Sequence, residues 1–389
     1  MIPWLAQRYG GPSTLVPQAS VALERRGHDV EIVSTNVDGD RVLDVPTGRI
    51  VEWSGAKVTF HSVTPPRWYL TSWPLLSDLR RRARTFDVIH IHYLYRFHGL
   101  AAAIAARGSR IPYVIQAHGA LDPWTRQRKR LPKDLYHFAF EDRIIRGAAG
   151  IVCTSKQERD SIRSLGYANQ AFIVPCGIDG DAIRKPARSD ILNDKGTRIV
   201  TFLGRVAVTK GVDLLVESFI RTAATFADAH LVIAGPDQSG LRSALVRRAA
   251  DAGIAERVSF IGPVGGAEKR ALLQRSSVVV LPSTGESFGM AAAEAMAVGR
   301  AVVVSPRVAI KDVVEACGAG LVAERRPADI ARAVEAILRD PAAAARMGEA
   351  GRAVADREFA WPAVASTMEA MYAAVAARRA GRSRSPGPA

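Results

Sequence analysis

The chain of 389 residues has little cysteine: Cys153, Cys176 and Cys317 stand at no spacing that suggests a zinc site or a redox pair. All three are expected to be thiols. Long apolar runs are also missing, since charge, glycine or proline interrupts every rich stretch before the roughly 20 residues a membrane helix needs. Met1-Ile2-Pro3-Trp4 is too short for the apolar core of a secretory signal. A cytoplasmic chain is the expectation. No Asp-x-Asp pair stands at a suitable strand end, so neither a divalent metal nor a cofactor is expected. Zinc fingers, aromatic RNA platforms and repeated basic helices are absent too. Despite a formal charge of +15, nucleic acid is therefore not an expected partner. The sequence leaves the oligomeric state open.

What is present is enough apolar residue, 48%, to fill two cores, with an ordinary 23% of charged residues. The length suits two domains of roughly 150 to 200 residues. Helical stretches ending near glycine feed short apolar runs, as in Val30–Ser34, Phe86–His92, Ile111–Gln116 and Gly150–Thr154. The rhythm lapses in the polar stretch from Arg184 to Lys195, then resumes with Arg198–Gly204, His230–Gly235, Val258–Gly262, Ser277–Pro282 and Ala301–Ser305. Strands alternating with helices predict an α/β chain of two doubly wound, Rossmann-like domains facing across a cleft lined by the carboxyl ends of strands. The expected division is 1–185 for an acceptor-side domain and 186–365 for a nucleotide-sugar-binding domain. A helix over 366–377 is expected to pack back on the first domain, ahead of a basic, disordered tail over 378–389.

Two loops have phosphate-facing chemistry. Gly204-Arg205 and Lys210-Gly211 lie between a buried strand and a helix, so a planar guanidinium and a mobile ammonium meet at one strand end. Gly10-Gly11-Pro12-Ser13 precedes a helix, where main-chain amides approach an anion without a Cβ in the way. Farther on, Glu286 sits in a strand-end loop and Glu294 in a helix otherwise rich in Ala and Met. A glycosidase acid and nucleophile would be one reading of this pair. Eight helical residues span about 12 Å, however, against the roughly 5 to 9.5 Å that two-carboxylate hydrolysis uses. Recognition suits the spacing better, with Glu286 accepting sugar hydroxyls and Glu294 accepting ribose hydroxyls. The amides around Phe288 and Gly289, at the helix entrance, are candidate contacts to sugar or diphosphate.

Gly204-Arg205 with Lys210-Gly211, and Glu286-Ser-Phe-Gly-Met-Ala-Ala-Ala-Glu294, closely resemble the retaining GT-B glycosyltransferases of family 4 over nearly the whole chain. The resemblance implies transfer of a glycosyl group from a nucleotide-diphosphate sugar to a glycan or lipid-linked glycan, with the donor's anomeric configuration kept. It implies catalytic roles for His118, Arg205, Lys210 and Glu286. Gly10, Gly11, Gly204, Arg205, Lys210, Glu286, Phe288, Gly289 and Glu294 are the implied donor contacts. His118-Gly119 looks like the histidine placed beside the transferred sugar, and His118–Trp124 looks like a polysaccharide-building subgroup. Val174-Pro175-Cys176-Gly177 resembles a turn whose usual third residue is Asn, whose hydrogen bonds Cys176 cannot duplicate. A sugar phosphorylase or nucleotide-sugar epimerase of the same fold is the alternative.

Trp68 and Trp73, followed by Arg80, Arg81, Arg82 and Arg84, and a second basic cluster containing Arg126 and Lys129, mark an acceptor or membrane side. Anionic lipid at the inner face of the membrane is the partner this pattern suggests, against a packed aromatic hairpin with a solvated basic face. His90 and His92 share a strand face without a third metal ligand at suitable spacing; either could line the cleft, with structural roles the leading expectation for both. Finally, only nine residues precede Gly10. A short or absent first strand is expected, with a mobile glycine loop and weaker catalysis than in a form extended upstream.

Overall fold

The computed structural model describes residues 1–121, 140–190 and 197–382, with side chains as far as 377. It divides into two compact units, one of Met1–Gly177 plus the stretch from Trp361 onward, the other of Ile178–Ala360. The first division thus falls eight residues before the expected 185, and there is a physical reason. The short helix Gly180–Arg184 is tied to the second unit by Arg184, which donates to the Ala297 carbonyl (3.2 Å) and to Asp356 (2.7 Å). Gln274 adds bonds to the carbonyls of Ile183 and Lys185. The expected linker residues 193–196 lie outside the described residues.

In the second unit six parallel strands run in the order Val258–Gly262, Ala229–Ala234, Arg198–Leu203, Val278–Leu281, Ala301–Val304, Gly320–Val322. Numbered by appearance this is 3-2-1-4-5-6, the Rossmann order, whose direction reverses between Arg198–Leu203 and Val278–Leu281. Ala229–Ala234, Val278–Leu281 and Ala301–Val304 are buried along their whole length, as strands covered on both faces must be. The helix Val212–Thr225 sends Val212, Leu215, Val216, Phe219 and Ala223 inward at three- and four-residue spacing. Each of the four larger side chains, Val212, Leu215, Val216 and Phe219, contributes about 1.5 to 3 kcal/mol through burial.

The first unit contains a parallel four-stranded sheet, Ile89–His92, Tyr113–Gln116, Gly150–Cys153, Ala171–Ile173. Beside it stands a smaller sheet in which Ile32–Thr35 runs parallel to Ala56–His61, itself antiparallel to Ile50–Trp53. No strand forms between Met1 and Gly10. Instead Met1–Pro3 links the two sheets: Ile2 N–H donates to Val33 O (3.1 Å), His92 N–H to Met1 O (2.9 Å), and Thr35 Oγ1 to Pro3 O (2.6 Å). Next to this link is a cavity of about 750 Å³ lined by Met1, Leu23, Val30, Phe86, Val88 and His90, among others. The last helix, Trp361–Arg382, starts five residues before the expected 366 and takes in the first residues assigned to the tail. Val364, Ala365, Met368, Met371 and Val375 pack with Val114, Val152 and Val174 of the same unit. Among the described residues no helix is long and apolar enough to cross a membrane.

Candidate active site

In the second unit the predicted residues converge where the strand order reverses. The strand Arg198–Leu203 delivers Gly204 and Arg205, a single turn over Val208–Lys210 presents Lys210, and Val278–Leu281 delivers the loop carrying Glu286. The Lys210 ammonium pairs with the Glu286 carboxylate, and Ser283 Oγ donates to the same oxygen at 2.9 Å. Both charged side chains are about one-fifth exposed. The two loops are also joined through backbone: Thr284 N–H donates to Thr209 O at 2.8 Å. Gly211, with φ +69°, is obligatory here because a Cβ would collide with the Pro282 carbonyl.

Glu286 is held by an isolated bridge to Val308, its N–H donating to Arg307 O (3.2 Å) and its carbonyl accepting from Ala309 N–H (3.1 Å). Gly289, with φ +110°, turns the chain into the helix Met290–Ala297, and a Cβ there would stand 2.8 Å from Val308 Cγ1. Phe288 is buried, its ring edge-on to Phe359 at 5.3 Å. Its predicted contribution to the site therefore falls to its backbone. Glu294 is paired with Lys269 (2.8 Å), a residue the sequence reading passes over. Arg205 donates to Gln238 Oε1 (2.5 Å).

In the first unit, His118 follows the strand Tyr113–Gln116 and has φ +51°, so the side chain is delivered by a left-handed turn with Gly119. His118 Nε2 lies 3.0 Å from His92 Nδ1. His92 stacks on His90 at 4.1 Å, and His90 Nδ1 meets the Tyr372 hydroxyl at 2.8 Å. His92 thus touches His118 directly, while His90 reaches the last helix through Tyr372. Burial lowers the pKa of His118 to about 3, keeping the ring neutral at ordinary pH. Gly119 N–H donates to Glu158 (3.3 Å), whose second oxygen accepts from Thr154 N–H (2.7 Å) and Thr154 Oγ1 (2.8 Å). Burial pushes the Glu158 carboxyl upward, against these three donors. Glu158 was not singled out from sequence, although Ser155-Lys-Gln-Glu158 is a capping-box signature and Ser155 Oγ does accept from Glu158 N–H.

Gly10, with φ +89°, caps the helix Gly11–Glu24, and Cβ atoms at Gly10 and Gly11 would meet open space. Trp68 and Trp73 are 75% and 58% exposed. Arg126 and Lys129 lie outside the described residues. Cys153, Cys176 and Cys317 are free thiols, with burial raising Cys176 to about 12. Among the described residues no three His, Cys, Asp or Glu side chains form a metal-holding group.

Two Rossmann-like units, with a basic and acidic cluster at the strand reversal of one and a histidine at a strand end of the other, define a GT-B nucleotide-sugar enzyme. Comparison with known proteins gives the family. Residues 184–354 match "Glycosyl transferases group 1" and residues 9–182 match "Glycosyltransferase Family 4". A D-inositol 3-phosphate glycosyltransferase of Frankia alni is 30% identical over 395 residues, covering 92% of each chain. One from Mycolicibacterium gilvum is 30% identical over 313 residues, covering 76% of this chain and 69% of the relative. Among solved structures, sucrose-phosphate synthase from Thermosynechococcus elongatus superposes with TM-score 0.75 at 23% identity, covering 95% and 94% of the two chains. Anabaena HepE in complex with UDP and glucose gives 0.72 at 17%, covering 96% and 98%. The chain belongs to the family 4 glycosyltransferases. It transfers a sugar from a nucleotide-diphosphate donor to a glycan or lipid acceptor.

Proposed function

We propose that the transfer is retaining and that the second unit holds the donor at its strand reversal. The observation that carries this reading is the Lys210–Glu286–Ser283 cluster between two strand-end loops. Lys210 and Arg205 stabilise negative charge on the departing diphosphate. Glu286 accepts hydroxyls of the transferred sugar, Glu294 those of the ribose, and the amides of Phe288 and Gly289 face sugar or diphosphate. Gly204 keeps the strand end open to the ligand, while Gly10 and Gly11, where a Cβ would meet open space, offer main-chain amides to donor phosphate at the helix start of the first unit. His118, neutral through burial, orients the transferred sugar without serving as a cation. The acceptor is deprotonated with help from a donor phosphate oxygen, and no protein nucleophile is required.

The test is product analysis with UDP-, GDP- and ADP-sugars. Transfer gives free nucleoside diphosphate and a glycoside whose anomeric configuration, read by proton NMR, matches the donor. An inverted product rejects retention, and epimerised donor without a lengthened acceptor favours the epimerase reading. The relatives act, by their names, on D-inositol 3-phosphate, which supports an acceptor bearing an anionic group. We also propose peripheral contact with anionic membrane at the inner face, supported by exposed Trp73 at the start of the helix Trp73–Arg82 and Arg80 and Arg81 in its last turn. Failure to bind vesicles of anionic phospholipid at low salt would reject that contact and leave the transferase intact.

A further inference from the structure

Three histidine rings of the first unit form one stack. His90 and His92 share a face of the strand Ile89–His92, and their ring centroids lie 4.1 Å apart at 20°. His118 continues the stack at 5.3 Å and 25° from His92, with its Nε2 3.0 Å from His92 Nδ1. At the far end, His90 Nδ1 meets the hydroxyl of Tyr372, from the last helix, at 2.8 Å. That helix is fixed in rotation, because Met368, Met371 and Val375 pack on Val114, Val152 and Val174 while Glu369 accepts from Arg26 Nε at 2.8 Å. The Tyr372 hydroxyl is therefore a fixed point at one end of the stack, and His118 stands at the other.

Packing alone does not hold the His90 ring in this stack. Its Nε2 is buried without a hydrogen-bond partner among the described residues, so the contact at Nδ1 is the ring's only hydrogen bond. The cavity of about 750 Å³ lies against His90, His92 and Tyr372, leaving the rings unconfined on that side. The last torsion of a histidine is broad and roughly two-fold, so a ring with space beside it turns once its one hydrogen bond is gone. Resting on the transferase reading above, in which His118 orients the transferred sugar, we propose that Tyr372 and His90 are positioning residues for His118, acting through His92. Tyr372 sets the tilt of His90, the face of His90 sets His92, and His92 Nδ1 fixes the direction of His118 Nε2. With Nε2 engaged by His92, Nδ1 is the ring nitrogen left to His118 for a sugar hydroxyl, and a turned His92 misaims it.

The experiment deletes one oxygen and keeps the ring: Tyr372→Phe in the full chain, assayed by release of nucleoside diphosphate from UDP-, GDP- or ADP-glucose, whichever is cleaved fastest. A fall in kcat of about two- to tenfold is expected, the worth of one hydrogen bond, with the donor KM unchanged. His90→Phe keeps a stacked ring, loses the same bond and should match it. On a His92→Phe background, Tyr372→Phe should have no further effect, because the path to His118 is already cut. A merely structural role would instead lower the melting temperature and cost the same on both backgrounds. Ring-nitrogen NMR of the chain labelled with ¹⁵N-histidine reads the geometry without turnover. The His118 signals, identified by their absence in His118→Gln, should move in Tyr372→Phe and stay in place when that change is made on His92→Phe. Unmoved His118 signals in Tyr372→Phe, unchanged kcat in both Tyr372→Phe and His90→Phe, or equal losses on the two backgrounds would each overturn the inference. Slowed turnover in His118→Gln alongside any of these would leave the reading of His118 standing. Full turnover in His118→Gln would reject that reading itself, and the inference with it.

Discussion

His98 gives the first unit a built-in sensitivity to acid. It is 1% exposed in the helix Phe97–Ser109, and its Nε2 lies 2.6 Å from the His92 carbonyl. A donating Nε2–H satisfies that carbonyl and leaves Nδ1 as a buried lone pair with no partner. Protonating Nδ1 would place a cation among apolar side chains, so burial lowers the pKa to about 3 from the usual 6.5. Below pH 6.5 the unfolded chain takes up a proton that the folded chain refuses. Stability is therefore complete above 6.5 and is lost progressively as the pH falls toward 3. Between pH 6.5 and 5 the loss from this one group is about 2 kcal/mol. His98→Gln retains a donor for the His92 carbonyl and does not titrate. The assay is hydrogen exchange of the amides in 89–116, which reads the first unit alone, at pH 7.5 and 5.0 after correction for intrinsic rates. The unaltered chain should lose about 2 kcal/mol more than the variant. Equal losses in the two would show that His98 is not the acid-labile group.

In the second unit, Lys210→Ala should lower kcat by about 10²- to 10³-fold, the cost typical of removing one preorganised charge or donor from a transition state; unchanged turnover at saturating donor would remove Lys210 from the mechanism. Gly289→Ala combines φ +110° with a Cβ 2.8 Å from Val308 Cγ1. It should destabilise the second unit by about 1 to 3 kcal/mol and raise the donor KM, and an unaltered melting curve would contradict it. Glu158→Gln puts an amide where three donors now meet a carboxylate. About 1 to 3 kcal/mol of stability should be lost in thermal unfolding together with kcat, whereas loss of neither would show that Glu158 does not hold the His118–Gly119 turn. His92→Phe keeps a ring against His90 and His118 but removes the 3.0 Å hydrogen bond. A drop in kcat with donor and acceptor KM unchanged is expected, and a change confined to KM would refute a positioning role.

The second unit was legible almost strand by strand because its parallel strands are buried on both faces and read as continuous apolar runs ended by Gly or Pro. In the first unit the sequence reading places no strand between 35 and 85. Yet Ile50–Trp53 and Ala56–His61 pair there through a two-residue turn at Ser54 and Gly55, both at positive φ. Ser-Gly between alternating residues is a hairpin signal. It was masked by an expectation of parallel strands spaced by helices, into which an antiparallel edge does not fit. The strand Gly320–Val322 escaped for a different reason: at three half-buried residues it is too short to show any period.

For the candidate site, motif spacing singles out residues that the fold gathers at one strand reversal, but not their ion-pair partners. Glu286 and Glu294 were read as ligand acceptors, and each carboxylate is paired with a lysine from a distant segment, Lys210 and Lys269. Such pairs span 76 and 25 residues of sequence, respectively, so no local pattern reveals them. The same holds for His92, which sequence places on a strand face but which acquires its meaning only when the next strand, Tyr113–Gln116, lies parallel to it. Register sets His92 opposite Gln116, two residues before His118, and the left-handed turn at His118 then swings its ring back to His92. A histidine that looked structural when taken alone becomes the hydrogen-bond partner of the ring assigned to the transferred sugar. Whether His92 reaches His118 is therefore decided by strand register and one backbone dihedral, neither of which residue identity or spacing encodes.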